Sequence, residues 1–393
     1  MSAFIGDRLR DTRKRRGLSQ RDLAKRSGVS YSLVRKLEQG DRQSTTMETV
    51  RKLADALNVP TSSLVTATSE TGADAATVDR WAAVRQALAG TYPGGDAAEE
   101  PTVAGVMASL DSAMPLFSSD SFAQLGALLP ALIRDADILA GLDERGRQVQ
   151  ARLLQLTGWL MVQTRQFDIA DDVLARALAT AGDRLEAAAV VNSQCWLLLR
   201  RGQLAESRQL ATRWADDIEP RRPSRATLDE LSAWGSMLLR VSGAAVRDNR
   251  KEEAKDALRW AAAAAVGMGR EHQPQADIMR TFGPVTVALK RAENAMVIDK
   301  PDHVLRLAGQ VPKGGLRPTS NNRNRHLLDV ADAHARMRQY SEAVEKLQQI
   351  MDKSPQWLPN QRYAQDIMGR VIARRRTLTP EMRQLADAIR VPM

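Results

Sequence analysis

With one cysteine and few aromatic residues, this chain of 393 residues is limited in how it can be held together. The single thiol, Cys195, excludes a disulfide within the chain and suits a reducing compartment. Aromatics make up 4% of the residues, so a large core has to be built from Ala, Leu and Val. No apolar run approaches the roughly 20 residues needed to span a bilayer. Even the stretch 261–266 is short and Ala-rich. The segment M-S-A-F-I-G-D-R-L-R lacks the apolar region of a secretory signal, so a cytoplasmic location without membrane contact is expected.

Catalytic signatures are also scarce. His272, His303, His326 and His334 lack metal-site spacing with Cys, Asp or Glu. Neither G-x-x-x-x-G-K-[ST] nor G-x-G-x-x-G occurs. Cys195 sits inside V-V-N-S-Q-C-W-L-L-L, which reads as a buried inert thiol rather than a nucleophile. No enzymatic activity and no cofactor are expected. The triplet at 374–376 (R-R-R) reads as solvated surface.

What is present begins with charge. Residues 1–65 carry 14 Lys and Arg against 7 Asp and Glu, which is most of the chain's net +10. A compact basic segment suits a polyanion partner. Within it, the window Q-R-D-L-A-K-R-S-G-V-S-Y-S-L-V-R-K-L-E-Q, residues 20–39, has what two steeply crossing helices require. Ala24 is small where they touch, Gly28 tolerates positive φ in the turn, and Leu33, Val34 and Leu37 face inward against Leu23 and Val29. Ser19 and Ser30 are suited to cap the two helices.

On the string L-R-D-T-R-K-R-R-G-L-S-Q-R-D-L-A-K-R-S-G-V-S-Y-S-L-V-R-K-L-E-Q-G, the stretch from Ile5 to Val65 resembles the DNA-binding domain of the Xre or lambda-repressor-like family. The resemblance implies five helices, near 3–16, 20–27, 31–38, 47–57 and 61–65, and double-stranded DNA as partner. It implies that Tyr31, Ser32, Arg35 and Lys36, behind the cap Ser30, lie on the base-reading face. Tyr31 departs from the Gln or Arg often found there. Gln20, at a helix N-terminus, would clamp a phosphate, and Gln43 and Ser44 in the following loop would do likewise. Arg13 and Glu38 are implied to form a bracing ion pair.

Residues 66–75 are small and polar, as a tether should be. A short helix is expected near 77–89, then a second break at 91–101. Residues 66–143 hold 3 basic and 11 acidic side chains. This acidic neck either keeps the rest of the chain away from phosphate or is simply soluble surface.

Beyond residue 102 the strong signals are helical, with apolar spacing near 3.6 and few strand signals. Pro130 is expected to bend its helix. The stretch R-H-L-L-D-V-A-D-A-H-A-R-M-R-Q-Y-S-E-A-V-E-K-L-Q-Q-I-M-D-K-S-P carries Tyr340, Ala343, Leu347, Ile350 and Pro355 at tetratricopeptide-repeat spacing. A second unit shows Gly158, Phe167, Ala170, Leu174 and Ala177, and a third Gly202, Leu204, Ala211 and Pro220. Weaker copies run near 228–264 and 277–312. The repeat resemblance covers roughly 147–356 and implies a superhelix whose inner wall is formed by the first helix of each pair. In that register Gln155, Trp159, Gln163, Asn192, Trp196, Arg200, Arg325, Asp332 and Arg336 fall on the inner wall. They constitute either a ligand-binding groove or a solvated groove with Trp residues packed between helices.

The expectation is an all-α chain: a five-helix DNA-binding domain at 1–65, a linker with a short helix at 66–101, and a tetratricopeptide-like α-solenoid at 102–393. A head-reader joined to such a body resembles the peptide-responsive RRNPP group and, more broadly, Xre-type regulators. Either resemblance implies a homodimer whose body binds a signalling peptide or other small molecule. The alternative is an adaptor whose body docks a partner protein without any small ligand.

Overall fold

In the computed structural model the described residues are 5–42, 45–59, 61, 64, 80–92, 100–277, 279–311, 319–374 and 378–391. Among them there is no strand, only an isolated bridge between His272 and Phe282. Four helices form the N-terminal head: α1 (Ile5–Arg15), α2 (Gln20–Ser27), α3 (Tyr31–Gln39) and α4 (Met47–Leu57). The expected fifth head helix falls largely outside the described residues, as do Gln43, Ser44, the tether at 66–75 and most of the Arg triplet. The rest of the chain contributes α5 (Ala82–Leu88), α6 (Val103–Ser118), α7 (Phe122–Ala140), α8 (Glu144–Gln163), α9 (Phe167–Ala179), α10 (Arg184–Arg200), α11 (Leu204–Asp217), α12 (Leu228–Arg247), α13 (Lys251–Met268), α14 (Pro284–Val297), α15 (Pro301–Gly309), α16 (Ser320–Arg336), α17 (Tyr340–Lys353), α18 (Arg362–Ile372) and α19 (Pro380–Ala388). Pro130 lies inside α7, which continues on both sides of it.

The helices begin where the sequence can satisfy their orphan N–H groups. Side chains of Ser19, Ser30, Thr46, Thr102, Asp143, Asp183, Thr227 and Thr379 accept from the first turn of α2, α3, α4, α6, α8, α10, α12 and α19. How they end is more regular still. The hairpins α6–α7, α8–α9, α10–α11, α12–α13, α14–α15 and α16–α17 all close through three residues, the middle one at positive φ: Asp120, Arg165, Gly202, Asn249, Asp299 and Arg338. In each, the N–H that follows reaches back to the helix: Ser121 to Leu116 O, Gln166 to Met161 O, Gln203 to Leu198 O, Arg250 to Ala245 O, Lys300 to Ala295 O and Gln339 to His334 O, all 2.9–3.0 Å. This is the Schellman closure, which satisfies carbonyls that a helix end leaves unpaired. Five of the six positions are not glycine, although a left-handed L-residue costs about 1–2 kcal/mol.

Successive hairpins stack through their first helices, with α8 against α10, then α12, α14, α16 and α18 in turn. This layered helical packing is consistent with a solenoid. Small residues set the spacing within it. A Cβ on Gly158 would lie 2.5 Å from Leu174 Cδ2, so α8 and α9 touch where a methyl would not fit. One hydrophobic core runs from Trp81 through Phe117, Leu160, Trp196 and Leu328 to Trp357 and Ile389. The head keeps its own core around Leu9, Leu23, Val34, Leu37, Leu53 and Leu64.

The body does not leave its inner wall open along its whole length. The segment between α13 and α14 folds back so that Gln155 on α8 donates to Ala276 O at 2.9 Å. The segment after α17 crosses to α7 and α8: Gln356 accepts from Ala123 N at 2.8 Å, and Trp357, fully buried, lies against Gln163.

A close contact between helix and returning segment is at Gly235 on α12, where a Cβ would lie 2.0 Å from Cζ of the buried Phe282 ring. Gly235→Ala is expected to destabilise the chain by about 1–3 kcal/mol through overpacking, seen as an earlier thermal unfolding transition.

Candidate DNA-reading face and candidate groove

In the head, sequence and burial divide α3 into two faces. Val34, Leu37 and Glu38 are buried, while Tyr31, Ser32, Arg35 and Lys36 are exposed together on the opposite side. Gly28 ends α2 at φ 67°, which turns the chain so that α3 crosses it. The Ser30 hydroxyl accepts from Leu33 N at 3.3 Å, so this residue caps the helix. The Arg21 guanidinium lies 5.7 Å from the Tyr31 ring centroid, an orientation that adds a cation beside the exposed phenol. Among the described residues, no carboxylate pairs with Arg35 or Lys36. Both remain free to meet an external acceptor.

What holds that face rigid is a buried carboxylate. Glu38, 5% exposed, accepts from Arg13 Nε at 2.6 Å, Arg13 Nη2 at 2.8 Å and Gln20 Nε2 at 2.8 Å. Arg13 also donates to Leu18 O at 2.7 Å. One carboxylate therefore ties α1, α2 and α3 together, and its hydrogen bonding raises the Arg13 pKa. Gln20 is already engaged here through its side chain; its backbone position at the start of α2 is where an anion would meet the helix N-terminus.

In the body, the nine inner-wall positions separate. Trp159 is 3% exposed and packs against Phe117, with ring centroids 6.4 Å apart. Gln163 is fully buried. Gln155 is occupied by Ala276 O, and Arg200 donates to Val162 O at 3.0 Å. The two returning segments cover this end of the wall, so these four do not line an open groove. Asp332 and Arg336 pair with each other at 2.8 Å, and Arg336 also pairs with Asp299.

Trp196 and Arg325 do face a cavity. It is a cleft open to solvent where α10, α12, α14 and α16 meet, with about 50 Å³ of interior space, and is lined also by Arg240, Lys290, Glu293, His326 and Asp329. Asn192 sits behind it, accepting from Arg240 Nε at 2.5 Å. Arg240, Lys290 and Glu293 carry no mark in the sequence beyond charge within an apolar helix. They lie on α12 and α14, where the repeat spacing read from the sequence is weakest. Cys195 on α10 is buried, and burial pushes its thiol up to about 12.

Head and body touch. Thr61 N donates to Asp248 O at 3.4 Å, Lys251 Nζ lies 2.8 Å from Asp55, and Lys52 Nζ lies 3.4 Å from Asp299. The body residues in these contacts sit in or beside the α12–α13 and α14–α15 turns. Two of these are partly exposed ion pairs, which contribute about 0–1 kcal/mol each, and the third is a hydrogen bond between buried residues.

Residues 9–64 match the helix-turn-helix family. No curated protein matches the chain. No helix among the described residues is long and apolar enough to cross a membrane.

Arg13→Met would leave Glu38 buried without its cation. A loss of about 3 kcal/mol is expected, measured as a lower denaturant midpoint for the head.

Proposed function

We propose that the protein is a sequence-specific transcriptional regulator that binds DNA through its helix-turn-helix head as a homodimer. On this reading its helical body receives a small signal, a short peptide or another small molecule, that changes operator binding. The observation that carries the DNA-binding part is the face of α3 that exposes Tyr31, Ser32, Arg35 and Lys36 together. Arg35 suits guanine O6 and N7, a bidentate contact that discriminates by roughly 1–3 kcal/mol. A single head covers one half-site, and two half-sites about 34 Å apart supply specific affinity, which is the physical argument for a dimer.

Two features support the sensing part. The cavity walls are α10, α12, α14 and α16, and α12 and α14 run directly into the turns that touch the head. Glu293 and Asp299 are six residues apart on and just beyond α14, about 9 Å along a helix. On α16, Arg325 and Asp329 face the cavity while Arg336 pairs with Asp299, the partner of Lys52. A ligand that changes how these helices sit against one another therefore acts on the seat of the head. It shifts the population only if it binds the two arrangements with different affinity.

The second reading is an adaptor that docks a partner protein. What favours it is the outer face of α13, where Trp260 and Val266 are 53% and 78% exposed.

Arg35→Ala is expected to relax base preference, with a larger loss on operator than on random duplex. Equal losses on both would contradict the base-reading role. A fraction of cell extract below about 2 kDa is expected to change operator affinity, whereas activity confined to the protein fraction would support docking. Charge reversal at Lys52 and Lys251 is expected to blunt the response to that fraction while leaving operator affinity in its absence within severalfold.

A further inference from the structure

The cavity between α10, α12, α14 and α16 is unusual in its charge. Arg240 and Arg325 both lie against the Trp196 ring, 5.0 and 4.2 Å from its centroid. Among the described residues, neither forms an ion pair with a carboxylate. Arg240 bonds the Asn192 amide oxygen and Arg325 the Gln361 amide oxygen at 3.3 Å. The one carboxylate engaged by cations is Glu293. It pairs with Lys290 at 2.5 Å and Arg247 at 2.7 Å, and so carries two positive partners of its own.

The other lining carboxyl does not restore the balance. Burial, reinforced by Glu293, raises the Asp329 pKa above the usual carboxylate range, so its negative charge is disfavoured there. Burial lowers Arg240 to about 9 and Arg325 to about 10. Lys290 is lowered by the same desolvation. Counting the lining groups and Arg247, four cations face Glu293 and an Asp329 whose ionisation burial disfavours.

Several polar atoms at the site have no hydrogen-bond partner within the protein: Trp196 Nε1, Arg325 Nε, Asn321 Oδ1 and His326 Nδ1. Buried polar groups are ordinarily satisfied, and charges crowded out of water ordinarily meet an opposite charge. Two unpartnered donors, Trp196 Nε1 and Arg325 Nε, beside the lining cations Arg240, Arg325 and Lys290, fit a ligand that brings several acceptor oxygens and more than one negative charge. A lone carboxylate supplies one charge and two oxygens. A phosphoryl group supplies about −1.5 to −2 and three strong acceptors, and guanidinium forks match its geometry.

We propose that this cavity is a binding site for a phosphorylated small molecule, whose phosphoryl group sits between Arg240, Arg325 and Lys290 beside Trp196. Asn321 and His326 then face the remainder of the ligand where the cleft opens toward solvent. The proposal rests on the reading of the body as the receiver of a small signal and specifies its chemistry. The same site offers a peptide only the weaker complement of a single terminal carboxylate.

The test uses the full chain and inorganic pyrophosphate as probe, at ionic strength held constant with chloride. Pyrophosphate is expected to raise the thermal midpoint saturably, with citrate at least tenfold weaker. Arg325→Gln and, separately, Arg240→Gln are expected to abolish this rise while leaving the ligand-free midpoint unchanged or higher, because each removes a crowded positive charge. Arg35→Ala in the head is expected to retain the rise. No saturable response, a response that survives both cavity substitutions or vanishes in Arg35→Ala, or citrate binding as tightly as pyrophosphate would each overturn the proposal. Operator affinity measured alongside separates the two claims. Pyrophosphate binding that leaves operator affinity untouched supports the site and refutes its signalling role. An active low-mass extract fraction with no pyrophosphate response refutes the phosphoryl assignment and leaves sensing standing.

Discussion

A backbone conformation repeated at the tip of each helical hairpin is the constraint on which the body depends. Each tip holds a residue at positive φ and closes a Schellman hydrogen bond. That turn reverses the chain in three residues, so the second helix of a pair has only one way to lie on the first. Repetition of the same reversal brings first helices beside first helices. The wall they form, the cavity within it and the surface that meets the head all follow from that repetition. The cost of left-handed L-residues is offset because each tip is determined by helix packing on both sides. At Asp299 and Asp248 the tips take on a further role, since residues that close hairpins also form the seat for the head.

Head and body are held by opposite strategies. In the head, one buried carboxylate accepts three hydrogen bonds and locks three short helices, so that α3 is presented as a rigid probe. Short helices have little propensity of their own, and they persist because their apolar faces and this network pack together. In the body, apolar burial supplies the cohesion, while polar groups are left over around the cavity. Those leftovers are costly unless something external satisfies them. On the reading proposed above, occupancy of the cavity would act on the seat of the head through α14 and α16.

Much of the architecture was legible before the fold was known. The helix-turn-helix rests on local chemistry: a small residue at a crossing, a glycine at a left-handed turn, serine caps, and apolar spacing along α3. The division of α3 into a buried and an exposed face follows from the same spacing. The helical character of the body beyond residue 102 was legible for a similar reason, in its apolar spacing near 3.6. The groove was less legible. Trp196 and Arg325 were visible as inner-wall residues, but in the same register Trp159 and Gln163 are buried, and Gln155 and Arg200 are half-buried and hydrogen-bonded within the chain. No local signal separates the two groups, because the covering segments come from the 270s and the 350s of the chain.

The sequence by itself determined what nearest neighbours along the chain can decide: helical periodicity, capping, the basic head, and which side of α3 faces outward. Only the tertiary structure decided which inner-wall residues stay open, which cations converge on Trp196, and which hairpin tips touch the head. Those outcomes depend on long-range returns of the chain and on the dielectric around each charge, and neither is encoded in a window of a few turns.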